Sequence, residues 1–245
     1  MSTTWIILGA TSSMARALAR RLAESGQSVV LAGRDGGELA AIAADCRVRG
    51  APLAEAIPFD ARDPTSFDAI VTRAGSVDGP LSVAAFVGSM PEQSEIDADP
   101  ALIAGTIADS YTGPATLIHR LAPLLEAHGS GAVVGVGSVA GDRGRVGNYV
   151  YGSTKAGFHT YLSGLRNRLA RSGVHVVTVK PGFVDTAMTW GLPGMFLVAS
   201  PDAVAQDILR AVSKEKNVLY TPFFWRWVML IIRLVPEPIF KKLSI

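Results

Sequence analysis

Three residues that can do acid/base chemistry stand close together in the sequence: Ser138, Tyr151 and Lys155. The small, β-branched segment 132–137 predicts a buried parallel strand that ends at Ser138. Tyr151 and Lys155 are four residues apart at the start of a predicted helix and therefore lie on one helix face. We expect the ammonium to lower the tyrosine pKa from its ordinary value of about 10. The spacing indicates a general acid/base, with an ordinary exposed Tyr–Lys pair as the alternative.

The N-terminal segment predicts a nucleotide-binding turn. An apolar strand at residues 4–8 leads through small residues into an Ala/Leu-rich helix. Small residues let the backbone approach a pyrophosphate, and the free N–H groups of a helix start can bind it. Only the first of the usual three glycines is present, so a plain strand–turn–helix is the alternative. The cofactor-binding residues predicted here are Gly9, Thr11, Ser12, Ser13 and Met14.

The end of the second predicted strand indicates the type of dinucleotide. NAD-specific sites carry an acidic residue there, whereas this sequence has Gly33 followed by Arg34. A guanidinium suits a 2′-phosphate through charge-assisted hydrogen bonds. We therefore expect NADP(H), with NAD(H) as the alternative cofactor and a solvated loop cation as the other interpretation of Arg34. Asp60 and Ala61 end the third strand, where we expect them to meet the adenine ring.

Strands alternate with helices along most of the chain. This order predicts an α/β fold with a single-domain, Rossmann-like, doubly wound parallel sheet of about seven strands flanked by helices. Residues 1–221 are expected to form the dinucleotide-binding domain, and residues 222–245, here called the tail, are expected to belong to the same domain.

Two segments are predicted to shape the site. Residues 100–127 contain Gly113-Pro114 and Pro123 and predict one or two helices with a kink. Residues 187–199 are rich in large apolar side chains and predict a flap over the substrate.

Composition excludes several classes of function. The formal net charge of +2 is too small to predict a nucleic acid partner. Cys46 is the single cysteine, and the four histidines lack ligand spacing, so we expect neither a disulfide nor a metal site. The N-terminal apolar run has no charged segment before it, which predicts a first strand and a cytoplasmic protein. The 49% apolar content fits a sheet covered on both faces and an oligomer interface, and we expect a homodimer or homotetramer.

The tail combines aromatic and basic residues. Its longest uncharged run, residues 227–232, is far shorter than the roughly 20 residues of a membrane-spanning helix. Aromatic residues beside Arg226, Arg233, Lys241 and Lys242 are typical of an interfacial anchor, which would hold the protein at the inner membrane face. The alternative is a segment packed in a subunit interface or over the active site.

With these pieces in place, the sequence resembles the classical short-chain dehydrogenase/reductase family over about its first 215 residues. The resemblance rests on Ser138, Tyr151 and Lys155, on the Pro-Gly turn 181–186 and on the turn 9–15. It implies hydride transfer between a nicotinamide cofactor and a carbonyl–alcohol pair. In that reaction Tyr151 gives a proton to the substrate oxygen, Ser138 hydrogen-bonds that oxygen, and Lys155 holds the nicotinamide ribose.

The same resemblance implies further site residues and reveals departures. Ser110 stands where the family has a helix-kinking catalytic Asn, so we place Ser110 among the catalytic positions and expect an altered proton relay behind Lys155. Residues 85–88 read Ala-Phe-Val-Gly instead of the usual Asn-Asn-Ala-Gly. The cofactor contacts implied in this part of the resemblance are Ala85, Phe86, Tyr151, Lys155, Pro181, Gly182, Val184 and Thr186.

We therefore predict an oxidoreductase that interconverts a ketone and a secondary alcohol. Residues 149–157 and, above all, 226–245 are similar to family members that reduce a polyprenyl-phosphate-linked keto-sugar, which implies a hydrophobic, lipid-linked carbonyl substrate. One alternative is a reductase of small soluble or acyl-carrier-linked carbonyls, in which the tail is only structural. Another is a non-catalytic nucleotide-binding protein, which the weak glycine turn and Ser110 favour and which the complete Ser138, Tyr151 and Lys155 set disfavours.

Overall fold

The sheet has seven parallel strands. The computed structural model describes residues 2–186 and 197–243. The strands are β1 (Thr4–Leu8), β2 (Ser28–Gly33), β3 (Ala54–Pro58), β4 (Leu81–Ala85), β5 (Ala132–Val136), β6 (His175–Pro181) and β7 (Val218–Thr221). They lie in the order β3-β2-β1-β4-β5-β6-β7, and each neighbouring pair is parallel. The predicted fold class is confirmed.

Helices connect the strands and cover both faces of the sheet. They are α1 (Ser13–Glu24), α2 (Gly36–Val48), α3 (Phe67–Gly75), α4 (Gln93–Ala98), α5 (Leu102–Ile107), α6 (Gly113–His128), α7 (Tyr149–Leu169), α8 (Pro201–Ser213), α9 (Trp225–Leu234) and α10 (Glu237–Phe240). Short 3₁₀ turns occupy Pro64–Ser66, Val139–Asp142 and Ala170–Ser172, and a π-helical turn occupies Ala108–Thr112.

The residues of β1 show how the sheet is buried on both faces. Trp5 and Ile7 join the core beneath α1, α2 and α8, while Ile6 and Leu8 join the core beneath α3, α6 and α7. This division follows from the strand geometry, in which successive side chains point to opposite faces. All residues of β1, β4 and β5 are buried, and a parallel sheet covered on both sides therefore produces continuous apolar runs in the sequence.

The chain reverses its direction of travel across the sheet at β1. Thr4 is paired with Ser28 of β2 on one side and with Leu81 of β4 on the other. The chain first extends outward to β3 and then crosses back to β4 before continuing to β7. In parallel α/β sheets, such a reversal leaves a crevice outside the carboxyl ends of the strands. The fold therefore brings the turn after β1 and the end of β5 to the same edge.

The predicted kink in segment 100–127 is a π-helical turn, Ala108–Thr112. At Gly113 an added Cβ would lie 2.3 Å from the backbone oxygen of Ala61, so the close approach there needs a glycine. Pro123 was also expected to interrupt the helix, and that prediction is wrong. Pro123 lies inside the continuous helix α6, where buried residues such as Leu121 and Leu125 hold the helix against the core.

The tail packs against the end of the sheet that carries Ser138. Trp225 and Met229 of α9 are buried and form a small core with Val139. Within the part of the chain that is described, no helix has the length and apolarity needed to cross a membrane.

The predicted flap lies mostly outside the described residues. Of residues 187–199, the structure describes only 197–199, where Ala199 forms a parallel bridge with Val184.

Candidate active site

Two cavities open at the carboxyl edge of the sheet, and most of the predicted site residues line one or the other. We call the first the nucleotide cavity; the predicted residues that line it are Gly9, Thr11, Ser12, Arg34, Asp60, Ala61 and Phe86. We call the second the reaction cavity; the predicted residues that line it are Met14, Ser138, Tyr151, Pro181, Gly182, Val184 and Thr186.

Of the cofactor contacts predicted around the ends of β1 and β4, Ser13, Met14 and Ala85 lie elsewhere than in the nucleotide cavity. Ser13 is the first residue of α1 and borders a surface cleft beside Arg16. Met14 extends into the reaction cavity. The two side chains separate because successive helix residues point about 100° apart. Ala85 is buried within β4, directly before Phe86.

Local backbone chemistry builds the nucleotide cavity at its β1 end. Gly9 has φ of 74°, and an added Cβ would lie 3.0 Å from the carbonyl oxygen of Phe86. Only glycine adopts this conformation without strain, and it keeps the turn close to the end of β4. Ser12 caps α1 by accepting a hydrogen bond from the Ala15 N–H at 3.2 Å. The start of α1 therefore lies at the cavity, as the approach of a pyrophosphate would require.

Charged groups lie at the opposite end of this cavity. Arg34 is exposed at its rim, and among residues 2–186 and 197–243 no carboxylate forms an ion pair with it. Asp109 also lines the cavity and is held by Arg62 through hydrogen bonds of 2.7 and 2.8 Å. Burial is the largest single influence and raises the pKa of the Asp109 carboxyl, but the hydrogen bonds from Arg62 and Ser89, together with the charges of Arg62 and Arg34, lower the pKa overall. Among the described residues that line this cavity, Arg34 is thus a cation available for a ligand.

The reaction cavity contains the predicted proton donor. Tyr151 lies in the first turn of α7 and is 7% exposed, and Ser138 follows β5, where its Oγ accepts a hydrogen bond from the Ala140 N–H at 3.1 Å. Burial raises the pKa of Tyr151 to about 12, and a hydrogen bond with the Ser138 side chain offsets this only in part. The prediction of a lowered tyrosine pKa is wrong. Lys155 Nζ lies 5.7 Å from the centre of the Tyr151 ring, and desolvation of the phenolate is the larger effect.

Lys155 is buried beneath the two cavities. Its Nζ donates hydrogen bonds to the carbonyl oxygens of Val136 at 3.2 Å and Val87 at 3.3 Å, which end or follow β5 and β4. Burial lowers the pKa of this ammonium to about 8. The two strand ends therefore hold a cation between the nucleotide cavity and Tyr151.

Comparison with known proteins identifies the family. The model of the short chain dehydrogenase family matches residues 3–194. The chain belongs to this family. An uncharacterized oxidoreductase of Mycobacterium tuberculosis (strain ATCC 25618 / H37Rv) is 34% identical over 239 residues, which are 97% of this chain and 96% of that protein. An uncharacterized oxidoreductase of Streptomyces coelicolor is 32% identical over 246 residues, 98% of this chain and 95% of that protein. These matches confirm the predicted enzyme class, an NAD(P)-dependent oxidoreductase.

A solved structure is similar to this short chain dehydrogenase over nearly its whole length. It is a short-chain dehydrogenase from Sphingobium yanoikuyae in complex with NADPH, with a TM-score of 0.82 and 26% identity over 97% of each chain. An actinorhodin polyketide ketoreductase with NADPH has a TM-score of 0.79 at 20% identity and shares the fold.

Ser110 stands where the family has an asparagine, and its surroundings differ from those of an exposed serine. Ser110 lies in the π-helical turn and is fully buried. Its Oγ accepts a hydrogen bond from the Ser89 N–H at 3.1 Å and lies 3.2 Å from the Ser89 carbonyl oxygen. A Cβ added to Gly88 would lie 3.0 Å from Lys155 Nζ and 3.2 Å from Ser110 Oγ. The short serine side chain thus ties the loop after β4 to the π turn beside the buried lysine.

A buried polar network supports the Ser138 loop from behind. The Asp142 carboxylate accepts hydrogen bonds from Lys180 at 2.5 Å and from the Tyr220 hydroxyl at 2.6 Å. His159 Nδ1 lies 3.8 Å from the same carboxylate, and its Nε2 lies 3.4 Å from the Ser138 backbone N–H. Burial lowers the pKa of His159 to about 3, so the ring is neutral and can accept that hydrogen bond.

The tail forms one wall of the reaction cavity. Trp225 lines the cavity, and its ring packs edge-on against Phe183 at 5.5 Å between centroids. A Cβ added to Gly182 would lie 1.9 Å from Trp225 Nε1, so the Pro-Gly turn needs its glycine to admit the indole. The buried face of the tail packs over the active site, which is one of the alternatives that the sequence analysis gave for this segment.

Several lining residues were missed by sequence reasoning. Met90 and Trp225 join the reaction cavity from positions far apart in the chain, and no sequence pattern marks them as site residues. Phe183 lies within the Pro-Gly turn 181–186, which was a signal that could have found it. Arg145 and Asn148 also line it, and their place between Ser138 and Tyr151 was a signal that could have found them.

Proposed function

We propose that this short chain dehydrogenase reduces a ketone to a secondary alcohol with NADPH. The observation that carries the proposal is the pairing of Tyr151 with Ser138 on the wall of a cavity that opens beside the nucleotide cavity. A carbonyl bound there would meet two hydroxyl groups and lie next to a bound nicotinamide.

The residues of the nucleotide cavity fit a dinucleotide. The close turn at Gly9 and the capped start of α1 provide room and N–H donors for a pyrophosphate. Arg34 stands at the rim with no carboxylate pairing it in the described chain, which suits a 2′-phosphate and favours NADP(H), with NAD(H) as the weaker alternative. Lys155 lies where it could hold the nicotinamide ribose.

The cofactor, when bound, supplies the hydride. Tyr151 is protonated at neutral pH because burial keeps its pKa near 12, and it can therefore give its proton to the carbonyl oxygen as negative charge develops there. Ser138 would donate a second hydrogen bond to that oxygen. The buried Lys155 ammonium, with its pKa lowered to about 8, would stabilise the phenolate that remains. Val184 and Thr186 lie at the cavity edge, where they could orient the carboxamide.

We further propose a hydrophobic substrate, such as a polyprenyl-phosphate-linked keto-sugar. The resemblance of the tail to that of decaprenylphosphoryl-2-keto-ribose reductase supports this class. So does the position of the tail, because α9 places Trp225 in the cavity while its other face is apolar and exposed. The exposed apolar residues of the tail are Phe223, Trp227, Leu230, Ile231, Leu234, Ile239 and Leu243.

Such a surface suits peripheral membrane binding next to the active site. Arg226, Arg233, Lys241 and Lys242 can meet anionic headgroups, while apolar side chains enter the interface. We propose that the protein is cytoplasmic and is held at the inner membrane face. The expected homodimer or homotetramer stays a prediction, and an interface on this surface is the competing use of the tail.

A reductase of small soluble or acyl-carrier-linked carbonyls is the second candidate. A structural relative described as a putative betaketoacyl-ACP reductase, with a TM-score of 0.75 and 27% identity over 89% of this chain and 95% of that one, favours it.

Turnover of NADPH with a panel of ketones tests the proposed function. The panel should contain short soluble ketones, a β-ketoacyl thioester and a long-chain keto-sugar phosphate in mixed micelles. We expect oxidation of NADPH that depends on the ketone and that is fastest with the long-chain compound. Binding of NADPH without turnover of any ketone would instead support the non-catalytic alternative.

A further inference from the structure

Arg145 is a cation at the reaction cavity that the mechanism above does not use. It lies in the loop between the Val139–Asp142 turn and α7, and it lines the same cavity as Ser138 and Tyr151. Its side chain is half-buried, and burial is the main reason that its pKa is lowered.

Among the residues that the structure describes, the guanidinium of Arg145 lacks the partners that a buried arginine usually has. Its Nε is buried and, within residues 2–186 and 197–243, has no hydrogen-bond partner. A buried donor without a partner costs stability, and such atoms in proteins commonly await a ligand or an ordered water.

The nearest acid is already engaged. The Asp142 carboxylate accepts hydrogen bonds from Lys180 and Tyr220 and lies 3.8 Å from His159. It acts on Arg145 only as a charge at longer range. The arginine is therefore not neutralised by an ion pair in the described chain.

Arg143, two residues earlier, shows what a structural arginine looks like in this loop. Its guanidinium donates to the carbonyl oxygens of Ile232 and Val235, both at 2.6 Å, and to Glu237 at 2.9 Å. It also stacks 3.5 Å from the centre of the Phe240 ring. Arg143 holds the tail in place, and no comparable set of contacts is seen for Arg145 in the described part of the chain.

A second unpaired polar atom lies in the same cavity. The side-chain oxygen of Asn148 is buried, and the described residues offer it no hydrogen-bond donor. An amide oxygen accepts hydrogen bonds, so a hydroxyl group is a fitting ligand for it. The cavity thus combines a donor cation, a neutral acceptor and apolar walls that include Trp225.

We propose that Arg145 binds an oxyanion of the substrate, a phosphate or a carboxylate, and thereby selects anionic carbonyl compounds. Asn148 accepts a hydrogen bond from a hydroxyl of the same molecule. This inference rests on the proposed function, since it names the substrate class of that site. A forked guanidinium is well suited to either oxyanion.

Calorimetric titration of the full-length protein, with and without NADPH, tests the inference through binding. The probes are dodecyl phosphate, dodecanoate and dodecanol below their micelle concentrations, which share a chain and differ in charge. The variants are Arg145→Gln, Arg145→Lys and the exposed control Arg171→Gln. Circular dichroism and thermal melting confirm that each variant is folded.

We expect wild type to bind the two anions more tightly than dodecanol. Arg145→Gln should weaken one or both anions about tenfold or more and leave dodecanol within twofold, because a charged hydrogen bond is lost. Arg145→Lys should keep part of the preference, and Arg171→Gln all of it. The anion with the larger loss identifies phosphate or carboxylate as the preferred group.

Equal affinity of wild type for all three probes would overturn the proposal. So would equal losses for anions and alcohol in Arg145→Gln, or a loss confined to NADPH binding, which would assign Arg145 to the cofactor. Anion binding that depends on Arg145 in a protein that reduces no ketone would support the anion site and refute the proposed function.

Discussion

The nucleotide cavity and the reaction cavity lie at one edge of the same sheet but are built in different ways. The nucleotide cavity consists largely of strand ends and the turns that follow them, as at Gly9, Arg34 and Asp60. The reaction cavity gathers side chains from elements far apart in the chain, such as Met14, Tyr151 and Trp225. The first cavity therefore follows from the topology of a parallel sheet, whereas the second depends on how loops and the tail pack.

The largest expected effect is a loss of turnover that leaves cofactor binding unchanged. Tyr151→Phe should lower kcat by about 10² to 10⁴, since it removes the proton donor and keeps the ring. The NADPH dissociation constant should stay within twofold, because only the hydroxyl is removed and the ring keeps its place. Stopped-flow turnover and NADPH fluorescence titration measure the two quantities. If the variant retained more than about a tenth of wild-type kcat, another group would have to be the acid.

In the nucleotide cavity, substitution of Arg34 should separate the binding of NADPH from that of NADH. Arg34→Ala should weaken NADPH about 10- to 100-fold and NADH far less, because one charged hydrogen bond to the 2′-phosphate is lost. Parallel titrations with both cofactors give the ratio. Arg62→Ala is unsuitable as a control, since Arg62 holds Asp109, so the exposed Arg171→Gln serves instead. Similar losses for NADPH and NADH would show that the phosphate lies elsewhere.

A pH dependence should come from the polar network behind the reaction cavity. Burial lowers the His159 pKa from its ordinary value of 6.5 to about 3 in the folded protein; the charges of Lys180 and Lys155 lower it as well, and that of Asp142 raises it. Between these two values the unfolded chain binds the extra proton, so stability falls as the pH is lowered from about 6.5. The slope is about 1.4 kcal/mol per pH unit, or about 2 kcal/mol at pH 5.

Urea denaturation at several pH values measures this slope, and His159→Gln should remove it. The variant is expected to have a lower stability at pH 7 and a flatter profile between pH 6.5 and 5. An unchanged slope in the variant would assign the acid sensitivity to other groups.

The smallest expected effect concerns the exposed face of α9. Ile231→Glu and Leu234→Glu place a carboxylate on this face without touching the buried Trp225 and Met229. Each should reduce co-sedimentation with vesicles rich in phosphatidylglycerol severalfold, since an apolar contact with the interface is replaced by a carboxylate that the anionic headgroups repel. The matched control is Val48→Glu, because Val48 is 89% exposed on α2, away from the tail.

Added salt should also weaken the binding of the wild type to these vesicles. If the wild type did not bind the vesicles and the α9 variants changed the oligomeric state in analytical ultracentrifugation, the exposed face of α9 would be a subunit interface.

Most of the fold could be predicted from the sequence because its signals are local. Apolar runs of about five residues, separated by amphipathic helices, define the strands and require parallel crossovers. The seven strands and their parallel arrangement are confirmed. The continuation of α6 through Pro123 was not predictable in this way, because packing of α6 against the core overrides the local preference of proline.

The sequence by itself determined the fold class, the family and the grouping of Ser138, Tyr151 and Lys155, since strand ends and helix spacing are set within a few residues. Only the tertiary structure decided the pKa of Tyr151, because desolvation depends on everything packed around the phenol. The same holds for Arg143 and Arg145. They are alike in sequence, yet Arg143 is bound by residues of the tail about 90 positions further along the chain, whereas Arg145 lines the reaction cavity and its Nε has no hydrogen-bond partner among the described residues.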